Sequence, residues 1–192
     1  MANTQTASPG ALPPAPDLRF VDALVAARTR FSADRTHRFT LFRHWGDPDS
    51  YLAVIGMNPS GADEAVGDRT VNKCAGYARR WGFGALYMLN AMSVRLTESS
   101  SLPTVPAVNL PENDVWIRQV VAGAGRVLVA WGNPGDDFAR GPQVEAILRA
   151  SCPRDRVVCF MRNKNGSPVH PLYQKDTAVP VPYFGVADGP GN

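Results

Sequence analysis

Residues 51–57, YLAVIGM, form an apolar run with no polar alternation, and Asn58-Pro59-Ser60-Gly61 stops it at once. A strand buried on both faces reads this way. From Thr70 helical spacing takes over, with Cys74, Tyr77, Ala78 and Trp81 at i, i+3, i+4 and i+7 on one stripe. Strand, sharp loop and amphipathic helix together restrict the chain to folds in which helices cover a sheet. In open α/β sheets ligands gather outside the carboxyl ends of the strands, where loops and helix N-termini offer unpaired donors. Asn58 is predicted to project from that edge.

The flanking sequence extends the pattern. Arg38 to Trp45, RFTLFRHW, reads as a strand, and Gly46-Asp47-Pro48-Asp49 carries turn chemistry, so an antiparallel hairpin with residues 51–57 is expected. Asp17 is a candidate N-cap for a short helix to about Phe31, with Leu18, Val21, Leu24 and Val25 on one side. Gly82 and Gly84 lead into a second buried strand, ALYMLNAM, at residues 85–92. Residues 112–124 are predicted helical, with Trp116, Ile117, Val120 and Val121 on one stripe and two acids in the first turn. Residues 126–131 and 156–161 supply a third and a fourth strand. Between them, Pro142 is expected at the first position of a helix whose core face is Val144, Ile147 and Leu148. Strands alternating with helices predict a three-layered α/β/α sandwich with a mainly parallel central sheet and the early strand antiparallel at one side.

At 192 residues the chain fits one domain with tails. Residues 1–16 are poor in large apolar groups and are expected to form a disordered tail, residues 17–177 the single α/β domain, and residues 178–192 an extended Pro/Gly-rich tail. The polar stretch 96–111 has the length of a lid or binding loop. A net charge of +3 permits contact with polyanions without announcing it. Cys74, Cys152 and Cys159 stand at no zinc-like spacing beside apolar segments, which predicts reduced core thiols and a cytoplasmic protein. No apolar run reaches bilayer length and no secretory pattern opens the chain, so no membrane association is expected. His37 and His44 lack ligand spacing, and neither a metal nor a cofactor is predicted.

If the strands are parallel, four loops leave the sheet on one side: residues 58–69, 90–95, 131–133 and 162–170. Asn58 is either an Asx-type turn former before Pro59 or a reader of ligands, since a side-chain amide offers both donors and an acceptor. Ser60 and Gly61 are suited to expose backbone amides to an anion, without the lysine and glycine spacing of a phosphate-binding Walker loop. Asp68 is a candidate base, though solvated loop acids are commoner. Lys73 faces either the cleft or solvent, and Trp131 is either a stacking surface for a base or the end of the core. Asn90 and Arg95 follow the second strand, and Arg162 and Lys164 are candidates for phosphate contact. His170, in Pro168-Val169-His170-Pro171, is held between two prolines, as a fixed donor to a departing anion would be.

The segments GMNPSGADEAVGD, TVNKCAGYARRWGFG, LNAMSVR, PENDVW, VAWG and KNGSPVHPLY, spread over residues 38–174, resemble an uncharacterised bacterial and phage domain family of unknown function. More distantly, the first and last are similar to the uracil-DNA glycosylase superfamily, a three-layered α/β fold. That superfamily carries a strand-end Gly-x-Asn-Pro-Gly-like motif, matched here by Gly56, Asn58 and Pro59, and a late His-Pro motif, matched by His170 and Pro171. The resemblance implies that Asn58 positions a hydrolytic water and the base, and that His170 stabilises the leaving base. It implies DNA, or another nucleobase-containing ligand, as partner, and hydrolysis of the N-glycosidic bond of a damaged or modified base, flipped out where it lies in a duplex. Ser60 stands where the superfamily has glycine, Leu172 where serine follows His-Pro, and no DNA-inserting loop is evident, so uracil specificity does not carry over. The same residues also suit a non-catalytic nucleic-acid or nucleotide-binding module, or a hydrolase or transferase of a small nucleoside-like metabolite.

Overall fold

The computed structural model describes residues 15–96, 102, 107–133 and 138–185. Most of the expected N-terminal tail, residues 97–101 and 103–106 of the expected lid, and residues 186–192 of the C-terminal tail lie outside the described residues.

One seven-stranded sheet runs through the domain. Its strands are β1 (Arg30–Phe31), β2 (Arg38–His44), β3 (Tyr51–Gly56), β4 (Ala85–Asn90), β5 (Arg126–Val129), β6 (Val157–Cys159) and β7 (Val181–Pro182). They lie in the order β1-β2-β4-β3-β5-β6-β7. The four inner strands β4, β3, β5 and β6 are mutually parallel, whereas β1, β2 and β7 join antiparallel at the flanks. The sheet is therefore mixed, with a parallel centre and antiparallel strands at both flanks.

Among the described residues the helices seen whole are α1 (Ala23–Arg28), α2 (Arg69–Arg80), α3 (Pro111–Gly123) and α4 (Arg140–Ser151). Every residue of β3 is buried, because both of its faces are covered. Leu52 and Val54 pack in one cluster with Val71, Cys74, Tyr77 and Ala78 of α2. Ala53 and Ile55 pack in another with Ile117 and Val121 of α3 and Val144 and Leu148 of α4. An unbroken apolar run is what such a position requires.

The connection from β3 through α2 moves one place to β4, and the connection from β4 through α3 crosses back over β3 to β5. The two crossovers run in opposite directions on opposite faces and so share one hand. The loops leaving β3 and β4 consequently part to opposite sides, which opens a crevice between their carboxyl ends.

Three local expectations are corrected. Residues 38–44 and 51–56 do not pair as a hairpin: β2 pairs with β4, Leu41 opposite Met88 and His44 opposite Ala85. The connecting turn instead wraps the start of β4, where the N–H groups of Trp45 and Gly46 donate to Gly84 and the Gly84 N–H donates to Ser50. The helix expected over 17–31 is divided into a 3-10 turn, Leu18–Phe20, capped by Asp17, and α1, whose N-cap is Asp22. Pro142 is the third residue of α4 rather than the first, still within the turn whose N–H groups have no intrahelical acceptor. Within the segment expected as a C-terminal tail, Val181–Pro182 pair with β6 as β7 at the sheet edge, and Tyr183 and Phe184 lie in the core.

Candidate functional site

A cavity of about 160 Å³ occupies the crevice. Gly56, Met57, Asn58 and Ser60 reach it from β3 and the loop that follows; Asp68, Thr70 and Val71 from the start of α2; Met88 and Asn90 from β4. Arg38 of β2, Leu96 and His170 complete the wall. An apolar cavity of roughly 150 Å³ holds benzene, so the volume is on the scale of one six-membered ring.

Gly56 and Asn90 are register partners at the ends of β3 and β4. A Cβ on Gly56 would stand 3.1 Å from Asn90 Oδ1, so glycine is what lets the two strand ends close on each other.

Asn58 donates through Nδ2 to the carbonyl oxygens of Pro59, 3.1 Å, and Leu96, 3.0 Å. Carbonyls only accept, so the amide orientation is fixed, both hydrogens are engaged and Oδ1 remains as an acceptor. The local bond runs from Nδ2 to Pro59 O and not from a backbone N–H to Oδ1, so it is not an Asx turn, and Asn58 takes its place in the cavity wall with Oδ1 uncommitted.

Asp68 caps α2, its Oδ1 accepting from the Val71 N–H at 2.8 Å, while Oδ2 accepts from the Ser60 hydroxyl. Ser60, the position that departs from the glycine of the strand-end motif, thus fixes the carboxylate in the cavity wall.

His170 caps the 3-10 turn Pro171–Tyr173, its Nδ1 accepting from the Leu172 N–H at 3.3 Å. A nitrogen that accepts carries no proton, so the neutral ring holds its hydrogen on Nε2. Burial pushes the imidazole pKa below its ordinary value, and the opposing pull of Asp68 is weaker, so the ring is neutral at pH 7.

The segment before His170 forms a small hairpin in which Arg162 bridges Pro168 and Gly166 takes φ 88°. The Gly132 N–H donates to Pro168 O at 2.9 Å and the Ser167 hydroxyl to Asn133 Oδ1 at 2.6 Å, tying the hairpin to the end of β5. Beyond His170, Lys73 of α2 donates to Gln174 O and pairs with Asp176 at 3.3 Å, and Tyr77 Oη donates to Lys175 O at 3.0 Å. The imidazole is anchored from both sides.

The loop after Asn58 is held by guanidinium groups. Arg38 donates to Ala62 O at 2.8 Å, Arg95 to Gly61 O at 3.3 Å, and Arg43 to Asp63 O and Val66 O, while Arg35 pairs with Glu64 at 2.7 Å. The bonds from Arg38, Arg95 and Arg43 saturate main-chain carbonyls in a segment without regular structure, which a buried loop requires, while Arg35 neutralises the Glu64 carboxylate. The partnership of these arginines with a single loop has no local signature. Arg38 and Arg43 are visible in the sequence only as two charged residues in the segment read as a strand, with nothing to say that both reach one loop.

The structure brings Gly56, Asn58, Ser60, Asp68, Asn90 and His170 to one cavity. Pro59 is buried beside it, and Pro171 is buried at the first position of the 3-10 turn after His170. Gly61 contributes the carbonyl that Arg95 holds, and Arg95 lies buried with its guanidinium 5.0 Å from the Phe31 ring. Lys73 serves as the clamp described above. Trp131 is 1% exposed and meets Tyr183 edge-on with ring centroids 5.8 Å apart, so it belongs to the core rather than to a stacking surface. Lys164 is exposed on the hairpin turn. Among the described residues no three of His, Cys, Asp and Glu gather as metal ligands would, and no helix is long and apolar enough to cross a membrane. All three cysteines are buried and free, and burial raises the Cys74 thiol to about 12.

Fold and site together define a mixed α/β domain with a ligand-sized cavity at its topological switch point, walled by an amide, a carboxylate and a neutral imidazole. Residues 38–172 match DUF1643, a family described as protein of unknown function, and the chain belongs to that family. No curated protein and no solved structure matches the chain.

Proposed function

We propose that the protein is a glycosylase-like hydrolase that cleaves the N-glycosidic bond of a damaged or modified base in DNA. The observation that carries this reading is that Asn58 and His170, from the two motifs that resemble those of the uracil-DNA glycosylase superfamily, wall the same cavity at the carboxyl edge of the sheet. Their hydrogen bonding supports complementary roles. Asn58 presents an acceptor, Oδ1, which orients a water by taking one of its hydrogens. His170 presents a donor, Nε2–H, to the base.

In the reaction the water oxygen bonds to the anomeric carbon as the carbon–nitrogen bond breaks and its electron pair leaves with the base. Positive charge develops on the sugar and negative charge on the base. The His170 donor stabilises the base anion, and the Asp68 carboxylate, held by Val71 and Ser60, stabilises the sugar and accepts the proton the water loses. With Nδ1 taken up by the Leu172 N–H, the neutral ring keeps its one hydrogen on Nε2, free to be donated to the base.

The test is a screen of purified protein against single- and double-stranded oligonucleotides bearing uracil and other deaminated, alkylated or phage-type bases, scored for alkali-labile abasic sites. Product that is lost in Asn58→Ala and His170→Ala is expected. Absence of abasic product with every substrate overturns the reading.

A further inference from the structure

Arg38 is the one charged group in the cavity wall that hydrolysis as described leaves without a task. It opens β2 and is 2% exposed. Nη1 donates to Ala62 O at 2.8 Å, but Nε is buried with no acceptor, and no carboxylate lies within ion-pair distance among the described residues. Two acids reach it by their fields alone: Asp68, which already holds the Val71 N–H and the Ser60 hydroxyl, and Asp63, whose Oδ1 holds the Ala65 and Val66 N–H groups. Desolvation lowers the guanidinium to about 10, which leaves it charged at neutral pH.

Asn90, 3% exposed on the neighbouring strand, walls the same cavity, and its Nδ2 is also buried without an acceptor. A buried cation without a counter-ion and a buried amide without an acceptor are both costly to a fold. One incoming group satisfies both if it is rich in acceptors, free of donors and negatively charged, since a charge-assisted hydrogen bond is about twice as strong as a neutral one.

The geometry points to an anion subsite in this cavity, in which Arg38 and Asn90 together bind an acidic, donor-free edge of the ligand, carried either by the nucleobase itself or by a phosphate. The inference rests on the reading of the cavity as a nucleobase site and narrows it to acidic bases. A carboxylated pyrimidine has the required chemistry, and so does orthophosphate, the part of a nucleotide that supplies the same charge without the base.

Calorimetric titration of the whole protein at constant ionic strength separates these cases, with 5-carboxyuracil, uracil, orthophosphate and chloride as probes. Roughly tenfold tighter binding of 5-carboxyuracil than of uracil is expected, reduced to parity in Arg38→Gln and weakened in Asn90→Leu. Orthophosphate binding that Arg38→Gln removes, without preference for the carboxylated base, keeps the subsite and assigns the charge to a phosphate. A wild-type protein that binds neither anion better than uracil or chloride overturns the inference, whether or not Arg38→Gln folds. Anion preference without abasic product on any oligonucleotide overturns the hydrolase and keeps the subsite, whereas equal product from wild type and Arg38→Gln does the reverse.

Discussion

Lys73 on α2 donates its ammonium to the main-chain carbonyl of Gln174, 101 residues further along the chain. The bond joins the helix that Asp68 caps to the segment that begins at His170, so it sets two walls of the cavity relative to each other. Lys73→Met is expected to cost about 1–2 kcal/mol, the scale of a hydrogen bond from a charged group at a partly buried site. Amide exchange over residues 171–176 should rise with it. A stability loss with unchanged exchange in that segment would show that the clamp does not position His170.

Asp68 has two tasks that substitution can separate. Asparagine retains the side-chain acceptor for the Val71 N–H and removes the charge; alanine removes both. Asp68→Ala should lose about 1 kcal/mol in urea unfolding and Asp68→Asn a few tenths. If the carboxylate takes the water's proton, the two variants lose turnover alike despite that difference, and an active Asp68→Asn would remove Asp68 from the chemistry.

Stability should fall between pH 7.5 and 5.5. Burial depresses the folded-state pKa values of both His170 and His37. Each therefore takes up a proton more readily in the unfolded chain, whose histidines titrate near 6.5. The contribution is fully present above that value and is lost as pH falls from it through the depressed folded values. Glu64 and Asp34, whose pKa values are lowered, lose their contributions only in more acid solution, as pH drops below the ordinary carboxylate range. Urea midpoints for wild type, His170→Gln and His37→Gln at the two pH values check this: each substitution should flatten the slope, and an unchanged slope in both would contradict it.

Two glycines should respond unequally to alanine. At Gly56 the added methyl meets a side chain, Asn90 Oδ1 at 3.1 Å, which can turn aside at a cost of about 1–3 kcal/mol and with weakened ligand binding. At Gly84 it meets backbone, the N and O atoms of Asp47, inside the turn that wraps β4. Gly84→Ala should lose more than Gly56→Ala, upwards of about 3 kcal/mol. Equal losses would mean that the turn around Gly84 yields as easily as a side chain.

Local pattern determined much of this protein. Tyr51–Gly56 had to be a strand covered on both sides because the five side chains from Tyr51 to Ile55 need burial, and α2 follows from the spacing of Cys74, Tyr77 and Ala78. Turn chemistry and two motifs likewise singled out Asn58 and His170 as residues at strand or loop ends.

Only the tertiary structure decided the partner of β2. A four-residue turn makes a hairpin the nearest solution, but β4 enters between β2 and β3, and the turn closes around Gly84 instead. Strand pairing between distant segments depends on total burial and leaves no mark in either segment. The same holds for the cavity. The tasks of Lys73 and Arg95 as braces and of Trp131 as core came from residues far off in sequence, and the free Nε of Arg38 exists only because β2 lies beside β4. Sequence singled out the polar side chains at strand and loop ends, and the long-range pairing of the sheet specified which of them share a wall.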